Sequence, residues 1–140
     1  MSRIVKAACR GALLAGLSAC AAPAPQSCAT GTGAPTLIVD LFFGKAIPGR
    51  SDLTDTEWNH FLDDTVTANL PDGYTVTDAY GAWINPVTHA TAREATKFLL
   101  VAVPDTPASL AAVARIRGTY QLRFHQQLVG MTVERACAAF

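Results

Sequence analysis

Positions 37–43 read Leu-Ile-Val-Asp-Leu-Phe-Phe, a run of β-branched, aliphatic and aromatic residues that predicts a strand over 36–43, stopped by Gly44. A loop rich in Gly, Pro and charge follows at 45–52. Thr54 and Glu57 then have the spacing of a capping box, and Leu53 with Trp58 the spacing of a hydrophobic staple. Two independent start signals coincide, so a helix begins at Thr54, with Trp58, Phe61, Leu62 and Val66 on one face. Pro71-Asp72-Gly73 ends it in a turn. A second strand is predicted over 74–84, closed by Asn85-Pro86, and a third is centred on 97–103 and closed by Pro104. Thr106-Pro107 opens a second helix carrying Leu110, Val113, Ile116, Tyr120 and Phe124 on one stripe. A last strand covers 128–133.

The order β-α-β-β-α-β predicts an α+β domain of ferredoxin-like arrangement, an antiparallel sheet with two helices on one face. Strands 36–43 and 97–103 are apolar at nearly every position, whereas a sheet with one wet face alternates. The second face therefore calls for a cover. A homodimer packed sheet to sheet, a ligand, or a lipid or protein partner each meets that need.

The chain before this domain has a different character. Arg3, Lys6 and Arg10 precede a short apolar run, and Leu17-Ser18-Ala19-Cys20 follows it. A charged head, an apolar middle and small residues at the cut make an export signal. The middle is far shorter than the roughly 20 residues that span a bilayer. Leu-Ser-Ala-Cys resembles the lipobox of bacterial lipoprotein signals, which implies lipidation of Cys20 and cleavage before it. Acyl chains contribute about 0.8 kcal/mol per buried methylene, so several give lasting anchorage. Ala21 rather than Asp after the cysteine favours, by analogy with enterobacterial lipoproteins, an outer membrane where there is one. The alternative is an ordinary cleaved signal, cut at a small-x-small site near Ala22 or Ala24. The organisation expected is a signal peptide at 1–19, a lipid-anchored flexible linker of Ala, Pro, Gly, Ser and Thr at 20–35, and the α+β domain at 36–140, on the periplasmic side of the cell envelope.

Processing changes the charge and the cysteines. The whole chain has 11 basic and 11 acidic residues; losing Arg3, Lys6 and Arg10 leaves 8 against 11, a net of about −3. That excludes a general nucleic-acid binder, which shows a basic stripe. Asp55, Glu57, Asp63 and Asp64 lie on the first helix and Arg115, Arg117 and Arg123 on the second, a segregation that two solvated faces explain. Cys9 leaves with the leader and Cys20 takes lipid. Cys28 and Cys137 remain, and an oxidising compartment permits a disulfide between them, the alternative being two separate thiols. No Cys/His spacing suits a metal, and no cofactor motif is present: Gly31-Thr32-Gly33 lacks the strand, helix and Lys-Ser/Thr of a phosphate loop.

Asp40 interrupts an apolar strand, where a carboxylate is costly unless it reaches water or a partner. Asp40, Asp78, Trp83 and Lys97 are the candidates for an open-face ligand site, subject to register, since a slip of one residue swaps faces. His125 closes the second helix, where the macrodipole favours it without further function. His60 and His89 have no second ligand at metal spacing, and Ser51 and Ser109 lack a nucleophile-elbow context.

Leu41-Phe42-Phe43-Gly44, Trp58 with Phe61-Leu62, Leu70-Pro71-Asp72-Gly73-Tyr74-Thr75-Val76 with Asp78-Ala79, Gly81-x-Trp83, Glu94, and Tyr120 with Phe124 and Gln126 together resemble a bacterial family known as domain of unknown function 3574. The likeness spans nearly all of 37–137, and implies a small exported or lipid-anchored protein with no assigned activity. Tyr74 stands where the family has a smaller apolar residue, and Ala82 where it has a polar one. Two functions follow. The first is an envelope module that binds a small ligand, or a second copy of itself, through its open sheet face. The second is a small cofactor-free enzyme of the dimeric α+β barrel type, with Asp40, His125 or Lys97 as the acid–base group.

Overall fold

The computed structural model describes residues 27–85 and 88–140. The leader, the lipidation candidate Cys20 and the tether as far as residue 26 lie outside the described residues. Four strands, β1 (Ala34–Gly44), β2 (Thr75–Ile84), β3 (Thr91–Pro104) and β4 (Gly130–Ala138), form one sheet in the order β2-β3-β1-β4, each neighbouring pair antiparallel. Between β1 and β2 run α1 (Asp55–Phe61), a π-helical turn (Leu62–Val66) and α2 (Thr67–Asn69) as one helical arm; α3 (Pro107–Phe124) joins β3 to β4. The class is α+β, with a four-stranded antiparallel sheet and two helical arms.

Register decides which side of the sheet is the core. Leu37 faces Val103, Val39 faces Val101 and Leu41 faces Leu99, so these six side chains share a face. All are buried, together with Trp58, Phe61 and Val66 from the first arm and Val113, Ile116, Tyr120 and Phe124 from α3. The rings of Phe43, Trp58, Phe61, Tyr120 and Phe124 meet at tilted and edge-on angles, with centroids 4.7–6.2 Å apart. The alternate residues of the two central strands, Ile38, Asp40 and Phe42 opposite Ala102, Leu100 and Phe98, turn away from the helices. Phe42 and Leu100 there remain 40% and 38% exposed.

Both helix starts have chemical causes. The Glu57 N–H donates to the Thr54 hydroxyl at 3.2 Å, and the Thr54 N–H donates to the Glu57 carboxylate at 2.9 Å. Leu53 and Trp58 are both buried beside this box. The Thr54 backbone bond, and after it the Arg50 guanidinium 2.7 Å away, draw the Glu57 carboxyl down from 4.5 to about 2. A depressed carboxyl contributes stability that is present above its unfolded value and is lost as pH falls through its folded one. Thermal melts between pH 5 and pH 2 are therefore expected to show a shallower acid loss for Glu57→Gln than for the parent. Parallel curves would remove this box from the acid response. At the second start Thr106 accepts from the Ser109 N–H at 3.2 Å and Pro107 opens the first turn. The helix closes at His125, whose left-handed φ of 53° ends the ladder.

Three details depart from the sequence reading. The π turn, closed by the Thr67 N–H on the Leu62 carbonyl, leaves Leu62 only partly buried while Thr65 and Val66 point inward. Leu110 is 43% exposed, and the buried stripe of α3 begins at Ala112. Strand β3 starts at Thr91 rather than near 97, and β4 runs to Ala138 rather than stopping at 133, because pairing with a long neighbour holds polar residues in strand form. Thr91 is opposite Ile84, and Arg135 opposite Leu37.

Cys28 and Cys137 are joined by a disulfide, with Cα atoms 5.7 Å apart. Close by, Gly33 adopts a φ of 97°, and a Cβ there would run into the Ala138 carbonyl. The segment before β1 is thus held tightly against the end of β4.

Candidate functional site

The hairpin of β2 and β3 is longer than its neighbour. β1 ends where Gly44 faces Thr96, while β2 and β3 continue as a pair to Ile84 and Thr91. The angle between this projecting arm and the segments 46–48 and 125–128 is a groove of about 690 Å³. Its apolar lining includes Phe42, Trp83, Tyr80, Ile47 and Leu128; its polar lining includes Glu94, Thr96 and the segment from His125 to Gln127. The volume falls in the roughly 300–1,000 Å³ range of small-molecule sites, and a mostly apolar wall with a few polar groups is their usual composition. A second cleft, about 250 Å³, lies between residues 69–73 and the start of α3 and carries no ionisable group but Asp72.

Packing beneath the groove holds its floor still. The Tyr120 hydroxyl, rising from the aromatic core, donates to the Gly44 carbonyl at 2.8 Å. Burial, and after it the charges of Glu94 and Glu57, push the Tyr120 phenol well above its ordinary value, so it stays a neutral donor. A Cβ at Gly44 would meet both Glu94 carboxylate oxygens at 2.8 Å, so a side chain there would displace the carboxylate from its present position. Gly130, opposite Phe42, likewise leaves 3.2 Å between an added Cβ and the Phe42 ring. On one wall, the Gln126 side chain donates to the Ala46 carbonyl and ties the two loop segments together.

The four residues expected on one open face are divided by the register. Trp83, 37% exposed, lines the groove. Asp40 shares that face but lies one inward-outward repeat from Phe42, outside the groove lining. Its Oδ2 accepts from the Thr132 hydroxyl at 3.0 Å, and its buried Oδ1 has no partner among the described residues. Lys97 and Asp78 are opposite one another on the helix side of the sheet. The Lys97 side chain is 8% exposed, and its ammonium is 2.6 Å from Asp78 and 3.1 Å from Asp55 at the start of α1. Burial works against its charge, but the bonds to Asp78 and Asp55 more than offset this and raise its pKa. Asp55 is lowered in turn, by Lys97 first and then by Lys45. Lys97 is a charged strut between sheet and helix.

His125 lies on the groove's rim, where its backbone conformation ends α3. His60 and His89 are exposed elsewhere. No group of three or more His, Cys, Asp or Glu capable of holding a metal occurs among the described residues, and no helix there is long and apolar enough to cross a membrane. Sequence reasoning gave Glu94 no role in a site. Its signal was the length of the hairpin: a second strand reaching residue 84 needs a partner reaching back to 91, which places Glu94 opposite Gly81.

The family described as "Protein of unknown function (DUF3574)" matches residues 39–140. Among solved structures, a phage SAM lyase in complex with S-methyl-5′-thioadenosine has a similar fold, with a TM-score of 0.60 and 10% identity over 76% of this chain and 92% of that one. A phage SAM lyase in the apo state gives 0.51 and 13% identity over 82% and 98%. At such identities the likeness is one of fold. No curated protein matches the sequence.

Proposed function

The chain belongs to the DUF3574 family, proteins of unknown function, and from that premise we propose that its domain binds a small planar ligand of nucleoside size in the groove between Trp83 and Glu94. The observation that carries this is the composition of the groove, with three aromatic residues and a carboxylate around about 690 Å³. The strand order β2-β3-β1-β4 supports a ferredoxin-like reading of the frame, and the fold shared with a protein solved with S-methyl-5′-thioadenosine makes that nucleoside the first probe. In this reading the domain works in the cell envelope, anchored by lipid on Cys20. The Leu-Ser-Ala-Cys motif supports the anchor, and the Cys28–Cys137 bond supports an oxidising compartment.

The chain has two tryptophans, and only Trp83 borders the groove; Trp58 is 2% exposed in the core. Stacking of an adenine ring on Trp83 is expected to quench part of the emission of the parent protein in a saturable titration with S-methyl-5′-thioadenosine. Trp83→Phe should retain the Trp58 emission and lose the response. An unresponsive parent protein would count against the reading.

A second reading, catalysis in the same groove, is favoured by the lyase identity of the proteins that share the fold. Glu94 is the carboxylate placed for it. Incubation with S-adenosylmethionine, followed by chromatography for S-methyl-5′-thioadenosine, tests it, and Glu94→Gln should abolish any product formed.

A further inference from the structure

We infer that the groove selects an organic cation, its positive charge at the Glu94 carboxylate and its apolar body against the aromatic wall; this rests on the groove being a ligand site. Glu94 is half-buried, and among the described residues its carboxylate has no hydrogen bond and no ion pair. Its oxygens are still reached by solvent, so no protein group competes with a cation that enters the groove and accepts a charge-assisted contact there.

Among the described residues, Lys45, Lys97, Arg50 and Arg123 are committed elsewhere. Lys45 and Lys97, flanking the floor in sequence, both turn to Asp55, and Lys97 also to Asp78. Arg50 is held by Glu57 and Arg123 by Asp64. Arg93 neighbours Glu94 in the chain but alternates to the opposite face of β3, across from Ala82. His125, on the rim, and Tyr80 are further ionisable residues in the groove lining.

Two further features fit a cation. Phe42 and Trp83 share the face of the sheet that carries Glu94 and line the groove with it, and aromatic quadrupoles attract positive charge, most strongly for tryptophan. Gly44 leaves the space that seats the carboxylate, since any side chain there would collide with it. An onium centre, sulfonium or quaternary ammonium, suits this setting better than a primary amine: it is weakly hydrated and it offers methyl surfaces to the rings.

Calorimetry with three probes separates the possibilities. S-adenosylmethionine and S-adenosylhomocysteine share every group except one methyl and the sulfonium charge, and tetraethylammonium is a cation without a nucleoside. S-adenosylmethionine is expected to bind about tenfold or more tightly than S-adenosylhomocysteine, the scale of one desolvated cation–π or charge contact. Glu94→Gln should erase that ratio by weakening S-adenosylmethionine more than S-adenosylhomocysteine. Equal affinity of the two nucleosides, or a ratio that survives Glu94→Gln, overturns the inference and leaves the ligand site standing. Tetraethylammonium binding that Glu94→Gln abolishes, with both nucleosides inert, upholds the cation and discards the nucleoside. Failure of all three overturns both. Circular dichroism of Glu94→Gln checks that the variant is folded, and Glu94→Asp should restore part of the ratio.

Discussion

Phe61→Ala is expected to destabilise the domain by about 3–5 kcal/mol, the usual range for removing a fully buried ring. Phe61 has no exposed surface and its ring touches four others: Phe43, Trp58, Tyr120 and Phe124, at centroid distances of 5.2–6.0 Å. The Arg123 guanidinium caps it from outside, 5.6 Å from the centroid, while pairing with Asp64 on the π turn. Losing the ring opens a cavity between the first helical arm, β1 and α3 together, so relaxation of any one element cannot fill it. Phe61→Leu keeps most of the volume and should cost less than half as much. Urea denaturation of the two variants measures both. A loss below about 1 kcal/mol for the alanine variant would mean that this cluster does not hold the arm to the sheet.

The second large effect belongs to the crosslink. Replacing Cys28 and Cys137 together by serine is expected to lower stability by about 2–4 kcal/mol, because the bond closes a loop spanning 109 residues of sequence and so restricts the unfolded chain over most of its length. The chain-entropy relation alone gives close to 5 kcal/mol, an upper figure, since the native state also changes when the bond is cut. The double substitution is the informative one, as it leaves no single thiol to pair wrongly. Reductant should shift the parent's melting temperature towards that of the double variant and leave the variant unmoved. A parent insensitive to reductant, with the variant equally stable, would contradict the account. Gly33→Ala is the companion substitution, acting at the same clamp through the Ala138 carbonyl rather than through sulfur.

How far the sequence can be read follows from where its signals are local. Thr54, Glu57, Leu53 and Trp58 are neighbours, and the cap they form depends on nothing distant, so the helix start is legible from spacing. The same holds for Thr106 and Pro107. The apolar runs around Val39 and Val101 mark the two central strands because both are flanked by partners on each side. Strand ends are different. Residues 134–138 carry Glu, Arg and Cys with no apolar alternation, and form a strand because β1 offers them a ladder. Residues 91–96 are in the same position beside β2.

The candidate site suffered from this directly. Lys97 is directly opposite Phe43 across the ladder, and so belongs to the core face, where Asp55 arrives from a helix far away in sequence to pair with it. Nothing local to Lys97 announces that partner. Trp83 and Asp40 fall on the outward face as their alternation allows, but only the relative lengths of β1 and the hairpin separate the one inside the groove from the one outside it. Glu94 was hidden for a further reason: its setting is made by an absence, the missing side chain of Gly44, 50 positions earlier in the chain.

The central claim is that the groove beside Glu94 and Trp83 is the ligand site. Amide chemical-shift mapping of the ¹⁵N-labelled protein during titration with S-adenosylmethionine tests it most directly. The account predicts shifts concentrated at 42–48, 79–85, 94–96 and 125–130, with the other end of the sheet unmoved. Shifts gathered instead at 69–73 and the start of α3, or none at saturating ligand, would contradict it.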